Sequence, residues 1–397
     1  MSNISANISA LNKTIKNDLI ATRRYLHQHP ELSFQEKETS KFVAGKLDDL
    51  GIPYKSNIGG YGIVAHIEGR DSGKTVALRA DMDALPIEEK TNKPYASKVK
   101  GVMHACGHDV HTTSLLGVAK ILMENKAEIN GTVKLIFQPA EERLPGGASL
   151  MIKDGVLQNP KPDIVVGQHV HPPLEVGKVG FKSGMYMAST DELFLHVKGK
   201  GGHGALPHDC IDTTLATSHI LVAMQQIISR RANPAKPTVL TFGKIASDGG
   251  STNVIPEKVY VEGTFRAMDE KWRAQAHKLI KDTAMYTARA LGAEVEVEIK
   301  KGYPYLFNDP ETTERLKALA IDFLGGDNVV ELPIQMTAED FAYYTREAKS
   351  CFYRLGVGNV SKGIQSQLHS PTFDVDEDCF DISSGLMAYM AIEELKS

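Results

Sequence analysis

Gly131-Thr132-Val133-Lys134-Leu135-Ile136-Phe137-Gln138-Pro139-Ala140-Glu141-Glu142 is the stretch from which the architecture follows. Its first half is an apolar run of strand length, and Pro139 closes it. Two adjacent carboxylates come next. A pair of acids on a helix face is usually solvated surface. A pair directly after a buried strand lies where open α/β sheets bind their ligands, beyond the carboxyl ends of the strands. One of Glu141 and Glu142 can hold a metal ion while its neighbour works as a general base.

Upstream the pattern recurs. Gly62 to Ile67 and Val76 to Ala80 read as short strands, the second running into Arg79-Ala80-Asp81-Met82-Asp83-Ala84-Leu85-Pro86. Asp83 there can orient a ligand imidazole from behind. Met103-His104-Ala105-Cys106-Gly107-His108-Asp109-Val110-His111-Thr112-Thr113 follows, ahead of a helical run from Ser114 to Asn125. Cys106 and His108 stand either side of a glycine turn, and thiolate and imidazole are good ligands for a zinc-like ion. Downstream, Asp163-Ile164-Val165-Val166-Gly167-Gln168-His169-Val170-His171-Pro172 is another buried strand ending in histidine. His169, first after the apolar run, is the preferred candidate, and His171 is assigned a structural role. The convergence of polar groups on one sheet edge is the signal; no single residue carries it.

Further outward, Asp18 to His27 and Glu36 to Leu50 have helical periodicity. Pro30 breaks the chain between them, so His27 and His29 are read as helix-end residues. From about Ser189 the pattern changes. Glu192 to Lys198 alternates, Asp212 to Arg230 is helical, Thr238 to Ile245 is strand-like, Val259 to Phe265 alternates, Glu270 to Leu291 is helical, and Glu294 to Ile299 alternates. That order, βαββαβ, is the ferredoxin-like split pattern and forms a complete layer of its own. The predicted organisation is therefore a larger α/β open-sheet domain in two parts, residues 1–187 and 301–397, with an inserted domain at 188–300.

The insert carries Lys198-Gly199-Lys200-Gly201-Gly202-His203-Gly204-Ala205-Leu206-Pro207-His208, whose glycines allow close approach of a ligand. His203 on that loop can reach a site as a hydrogen-bond donor. Asn253 and Arg266 are further candidates, and an arginine fork suits a carboxylate. After the insert come a helix from Glu311 to Leu324, the run Ala338-Glu339-Asp340-Phe341, a strand from Ser350 to Val357, and a closing helix from Phe380 to Leu395. In Gln367-Leu368-His369-Ser370-Pro371, His369 suits neither a helix nor a strand core and reads as a metal ligand.

At 397 residues the chain exceeds one ordinary core, which agrees with two domains. With 42% hydrophobic and 24% charged residues it reads as a globular protein in water. A net charge of −4 without long runs of one sign argues against nucleic-acid and membrane-surface partners. No apolar run approaches the ~20 residues of a membrane span, and Met1 to Asn12 lacks the pattern of a signal peptide. Cys106, Cys210, Cys351 and Cys379 are scattered, so a reducing cytoplasm is expected rather than a disulfide framework.

Taken together and in order, Met103-His104-Ala105-Cys106-Gly107-His108-Asp109, Gln138-Pro139-Ala140-Glu141-Glu142, Gly201-Gly202-His203-Gly204 and Leu368-His369-Ser370-Pro371 resemble a known family. It is that of the metal-dependent amidohydrolases, which include hippurate hydrolase, bacterial aminoacylase/carboxypeptidases and plant auxin–amino-acid conjugate hydrolases. The resemblance extends from about Arg23 to the C-terminal helix. It implies a two-metal site, zinc or manganese, in a metallopeptidase-like catalytic domain, with the insert as lid and dimerisation surface of a homodimer. The implied ligands are Cys106, bridging through its thiolate, with His108, Glu142, His169 and His369. The resemblance implies Glu141 as general base and acid, Asp83 as support for the ligands, and His203, from the partner subunit, polarising the scissile carbonyl. It implies substrate contacts from Asn253 and Arg266. Two departures stand out: related metallopeptidases place His-x-Asp where this chain has Asp81-Met82-Asp83, and Arg143-Leu144-Pro145 replaces a more glycine-rich run.

The expected activity is hydrolysis of the amide of a small N-acyl amino acid in the cytoplasm. A carboxypeptidase or dipeptidase acting on short peptides is the alternative within the class. Cys106 as an acylated nucleophile activated by His108 or His111 would be a different class, and it leaves the other clustered residues without a purpose. A non-catalytic binding protein on the same fold is a second, and the presence of Glu141 leaves the catalytic set undamaged and argues against it.

Overall fold

The computed structural model describes residues 3–71 and 73–396. The chain forms two compact units, one of residues 1–186, 307–334 and 340–397, the other of 187–306 with 335–339. Among the described residues no helix is long and apolar enough to cross a membrane.

The first unit is built on an eight-stranded sheet in the order Tyr54–Ile58, Gly62–Glu68, Thr132–Gln138, Thr75–Asp81, Ile164–Glu175, Lys349–Gly358, Val179–Phe181, Val329–Glu331. The four strands at 132–138, 75–81, 164–175 and 349–358 run parallel to one another. Every residue of Thr75–Asp81 is buried, which is why its sequence shows no alternation. Charges inside such strands need partners. Lys134 finds three carbonyls, donating to Val156 O, Gln158 O and Pro160 O at 2.7, 2.9 and 2.7 Å.

Helices Asn3–Gln28, His108–Glu124 and Ser383–Glu394 pack on one another and contribute Ile15, Leu19, Leu115, Val118 and Leu386 to the core. The helix expected from Ser114 begins at His108. Its first two turns are polar yet buried, so the apolar stripe that marks a helix in sequence is missing there. Gly107 precedes it at φ +83°, and a Cβ at that position would lie 2.4 Å from Val170 Cγ2. Only glycine fits both the left-handed turn and the close approach. The strand expected to end in histidine runs on through His169 and His171 to Glu175, because Lys349–Gly358 pairs alongside it with Arg354 opposite His169. The edge strand Tyr54–Ile58 was not anticipated; three of its five residues are exposed and it has no apolar face to read.

In the second unit the four strands stand in the order Thr238–Ser247, Lys258–Ala267, Asp191–Lys198, Glu294–Lys301, each pair antiparallel. Helices Thr213–Gln226 and Glu270–Ala290 cover one face. This is the ferredoxin-like arrangement, with Leu193, Leu195, Val197, Val259, Val261 and Phe265 in its core. Residues 335–339 join this unit through Ala188, whose N–H lies 3.2 Å from Gln335 O and 3.0 Å from Thr337 O.

Candidate metal centre

Three segments of the first unit bring their ends together around the Cys106 turn. In each of the trios Cys106–His108–His169, Cys106–Glu142–His369 and His108–Glu141–Glu142, one donor atom per residue lies within 4.8 Å of the others. Cys106 Sγ is 3.5 Å from His169 Nε2, and His369 Nε2 is 3.1 Å from Glu142 Oε1. Cys106, His108, Glu141 and His169 are buried, Glu142 is half-buried, and the His369 side chain is 53% exposed, which leaves the group an open side.

The tautomers follow from the partners. His169 Nδ1 donates to Val170 O at 2.7 Å, so Nε2 keeps its lone pair towards Cys106. His108 Nδ1 donates to Asp83 Oδ1 at 3.1 Å, and its buried Nε2 has no hydrogen-bond partner. His111, close to both, is occupied at each nitrogen. It donates from Nδ1 to Asp81 at 2.6 Å and accepts from Val170 N–H at Nε2, 2.9 Å. His111 is therefore a support, although it shares a sequence run with the ligand candidates.

Asp81 is committed elsewhere too, to Arg79, and Arg79 also bonds Gln138 Oε1 at 2.9 Å and Asp340 Oδ1 at 2.8 Å. Asp340 further accepts from Gln138 Nε2 at 2.8 Å and Ala148 N at 2.9 Å, and donates its own N–H to Glu141 Oε1 at 3.4 Å. Sequence reasoning gave no role to Arg79, Gln138 or Asp340, and did not read Asp81 or His111 as supports. The available signal was the pair of charges, Arg79 and Asp81, inside an otherwise apolar strand, since such charges demand buried partners.

The electrostatics ask for a cation. Burial, then the charges of Glu142, Glu141 and Asp81, push the Cys106 thiol well above its ordinary range. Burial disfavours a charge on His108, yet Asp81, Asp83 and Glu142 outweigh it and raise the imidazole to about 10. Burial, then Arg354, keeps His169 neutral, the form that binds metal. A thiol, three imidazoles and a carboxylate with an orphaned nitrogen among them fit a pair of divalent ions.

In the second unit His203 is exposed and its Nδ1 accepts from Ala205 N–H at 3.0 Å, which puts the ring proton on Nε2 as an outward donor. A short ladder, Val254 opposite His203, brings Asn253 beside it, and Gly204 N–H bonds Asn253 O at 2.7 Å. Arg266 is half-buried, and its side chain makes no hydrogen bond or ion pair among the described residues. It sits at the far end of strand Lys258–Ala267 from the Asn253 loop, with about 25 Å of strand between Lys258 and Arg266.

The model of peptidase family M20/M25/M40 matches residues 77–393. The N-acetyl-L-cysteine deacetylase of Bacillus subtilis is 41% identical over 365 residues, 92% of this chain and 85% of its own. Thermostable carboxypeptidase 2 of Saccharolobus solfataricus is 39% identical over 384 residues, 96% of each chain. Among solved structures, the YXEP protein of Bacillus subtilis, described as a dinuclear metal binding peptidase, superposes with a TM-score of 0.83 at 35% identity, covering 97% of this chain and 99% of that one.

Proposed function

The chain belongs to peptidase family M20/M25/M40 and is a metal-dependent amide hydrolase, and from that premise we propose that it cleaves the amide bond of N-acyl amino acids. The observation that carries this reading is the chain of overlapping donor trios, Cys106–His108–His169, Cys106–Glu142–His369 and His108–Glu141–Glu142, which share Cys106, His108 and Glu142.

Those five residues would hold two divalent ions, zinc or manganese. When bound, the ions supply an electrophile for the amide oxygen and bring the pKa of a water to roughly 7. The Glu141 carboxylate takes a proton from the attacking water and hands it to the departing nitrogen. Asp83 fixes the His108 ring through Nδ1. The outward Nε2–H of His203 donates to the carbonyl oxygen as charge develops there, an interaction of about 3 kcal/mol. Asn253 steadies the same end of the substrate, and the unpaired fork of Arg266 takes the carboxylate of the amino acid.

A small substrate cannot span the distance from the Asn253 loop to Arg266 within one copy. That separation supports a homodimer in which one subunit gives Arg266 and the partner subunit gives the His203–Asn253 end. Four free cysteines support a reducing, cytoplasmic location.

The test is a panel of N-acetyl and N-benzoyl amino acids and dipeptides, assayed with metal-stripped protein with and without zinc or manganese. Turnover that disappears on stripping and returns with metal, strongest on acyl amino acids, is the expected result. Best turnover on dipeptides or C-terminal residues would shift the reading to the peptidase named among the relatives. Activity untouched by stripping and removed by a thiol alkylator would make Cys106 a nucleophile and end the proposal.

A further inference from the structure

The segment between the first two helices, read from sequence only as a break at Pro30, reaches the acidic pair at two points. Ser33 Oγ donates to Asp83 Oδ2 at 2.6 Å, and the same oxygen accepts Glu142 N–H at 3.0 Å. Glu36, fully buried, accepts at Oε1 from Phe34 N–H at 3.0 Å and from Ala140 N–H at 2.8 Å. Ala140 stands at φ +51°, a left-handed conformation that costs an alanine roughly 1 kcal/mol and persists only where its surroundings enforce it. Its carbonyl is held as well, by Gly147 N–H at 2.9 Å, at a place where a Cβ on Gly147 would fall 1.7 Å from Pro139 O. The kink is the last backbone choice before Glu141, so whatever fixes it sets the start of the carboxylate pair.

We propose that Glu36 is a positioning residue for Glu141 and Glu142: its carboxylate holds the left-handed Ala140 peptide and so aims the base and the metal-binding carboxylate. This rests on the roles given to those two residues above. The supporting segment is itself fixed, since Ala84 N–H bonds Glu31 O at 2.8 Å and the Glu31 carboxylate accepts from Glu38 and Thr39 at 3.1 and 2.7 Å. Glu36 therefore works from a braced platform rather than from a free loop.

Manganese titrated into metal-stripped protein, together with kcat and KM on the best panel substrate, tests this in Glu36→Ala, Glu36→Gln and Glu36→Asp. Glu36→Ala is expected to weaken manganese binding and lower kcat by about 10- to 100-fold each while KM moves less than about 3-fold. Glu36→Gln keeps an acceptor for Ala140 N–H and stays close to the parent. Adding Ala140→Gly to Glu36→Ala recovers part of the loss, because glycine adopts the left-handed turn without strain. If Glu36→Ala does not fold, Glu36→Asp decides, since it withdraws the carboxylate by one methylene and is expected to fall well below Glu36→Gln. Loss of melting temperature alone, with binding and kcat intact, overturns the proposal. So does a Gln variant as damaged as the Ala or Asp one, because charge and not the accepted hydrogen bond would then matter. Manganese affinity is read without turnover, so a parent inactive on every amide refutes the proposed function while the binding series still judges Glu36.

Discussion

In the first unit Arg23 and His27, one turn apart on helix Asn3–Gln28, both reach Asp109, at 2.8 and 2.7 Å. In the second, Arg273 and His277, one turn apart on helix Glu270–Ala290, both reach Asp191, at 2.6 and 2.7 Å. The composition and the helical spacing are the same, and what they hold differs. Asp109 lies in the first turn of the helix that begins at His108, so Arg23 and His27 grip the turn that carries the candidate ligands Cys106 and His108 from behind. Asp191 opens the first strand of the insert, and Arg273 also donates to Thr190 O at 3.0 Å and Gly302 O at 2.9 Å. That trio clamps together the places where the chain enters and leaves the insert. A buried Arg–Asp–His set is thus a general fastener, and its meaning comes from the backbone to which it is fastened.

The largest effect is expected from Asp109→Asn. It strands a fully buried guanidinium whose remaining carboxylates, Asp374 and Glu377, stand at 3.4 and 3.5 Å. Breaking a buried pair this way costs about 3–5 kcal/mol, read as a lowered urea midpoint. Manganese affinity should fall with it, by about 10-fold or more. Asp191→Asn should cost about 3 kcal/mol in the same assay and leave manganese affinity of the folded fraction at the parental value. A loss of affinity in Asp191→Asn, or none in Asp109→Asn, would break the comparison.

Smaller differences should separate the two histidines. His27 is 1% exposed and His277 19%. His27→Asn is expected to cost about 2 kcal/mol and His277→Asn about 1 kcal/mol, by calorimetry on the metal-free proteins. The smallest effect is in pH. Burial and Arg23 both work against a charge on His27, but Asp109 and Glu89 outweigh them and raise its pKa above the usual histidine value. A raised histidine stabilises fully below about 6.5 and loses that contribution as pH climbs through its folded pKa. The parent should therefore lose stability on going from neutral to alkaline pH, and His27→Asn should lose less; equal slopes would remove His27 from the charged network.

The sequence made the inserted layer legible because its strands alternate and its helices carry apolar stripes, the ordinary signature of elements with one wet face. The candidate ligands Cys106, His108, Glu142 and His169 stood out for a different reason: they are polar groups at or just beyond the ends of buried apolar strands and at the mouth of a helix, which converge on one sheet edge. Their supports did not. Arg79 meets Asp340 across 261 positions and Arg23 meets Asp109 across 86, and no local pattern encodes such a pairing. Glu36 looked like the start of a helix, and its bond to Ala140 spans 104 positions. The early start of the helix at His108 was hidden by burial of polar side chains, which defeats an amphipathic reading.

The sheet order of the first unit has a consequence for how the chain comes into being. Strand Lys349–Gly358 lies between Ile164–Glu175 and Val179–Phe181, so the sheet stays divided until nearly all of the chain has been made. Most of the inserted layer, 187–306, is one continuous piece and is available long before. Domains generally fold as units while the chain is synthesised from its N-terminus. The insert should then mature first, while the first 186 residues wait with an unfilled slot in their sheet. Until that strand arrives the growing chain presents unpaired apolar edges, the hazard that folding helpers exist to cover, and the His169 side of the candidate metal centre cannot close before His369 is nearly in hand.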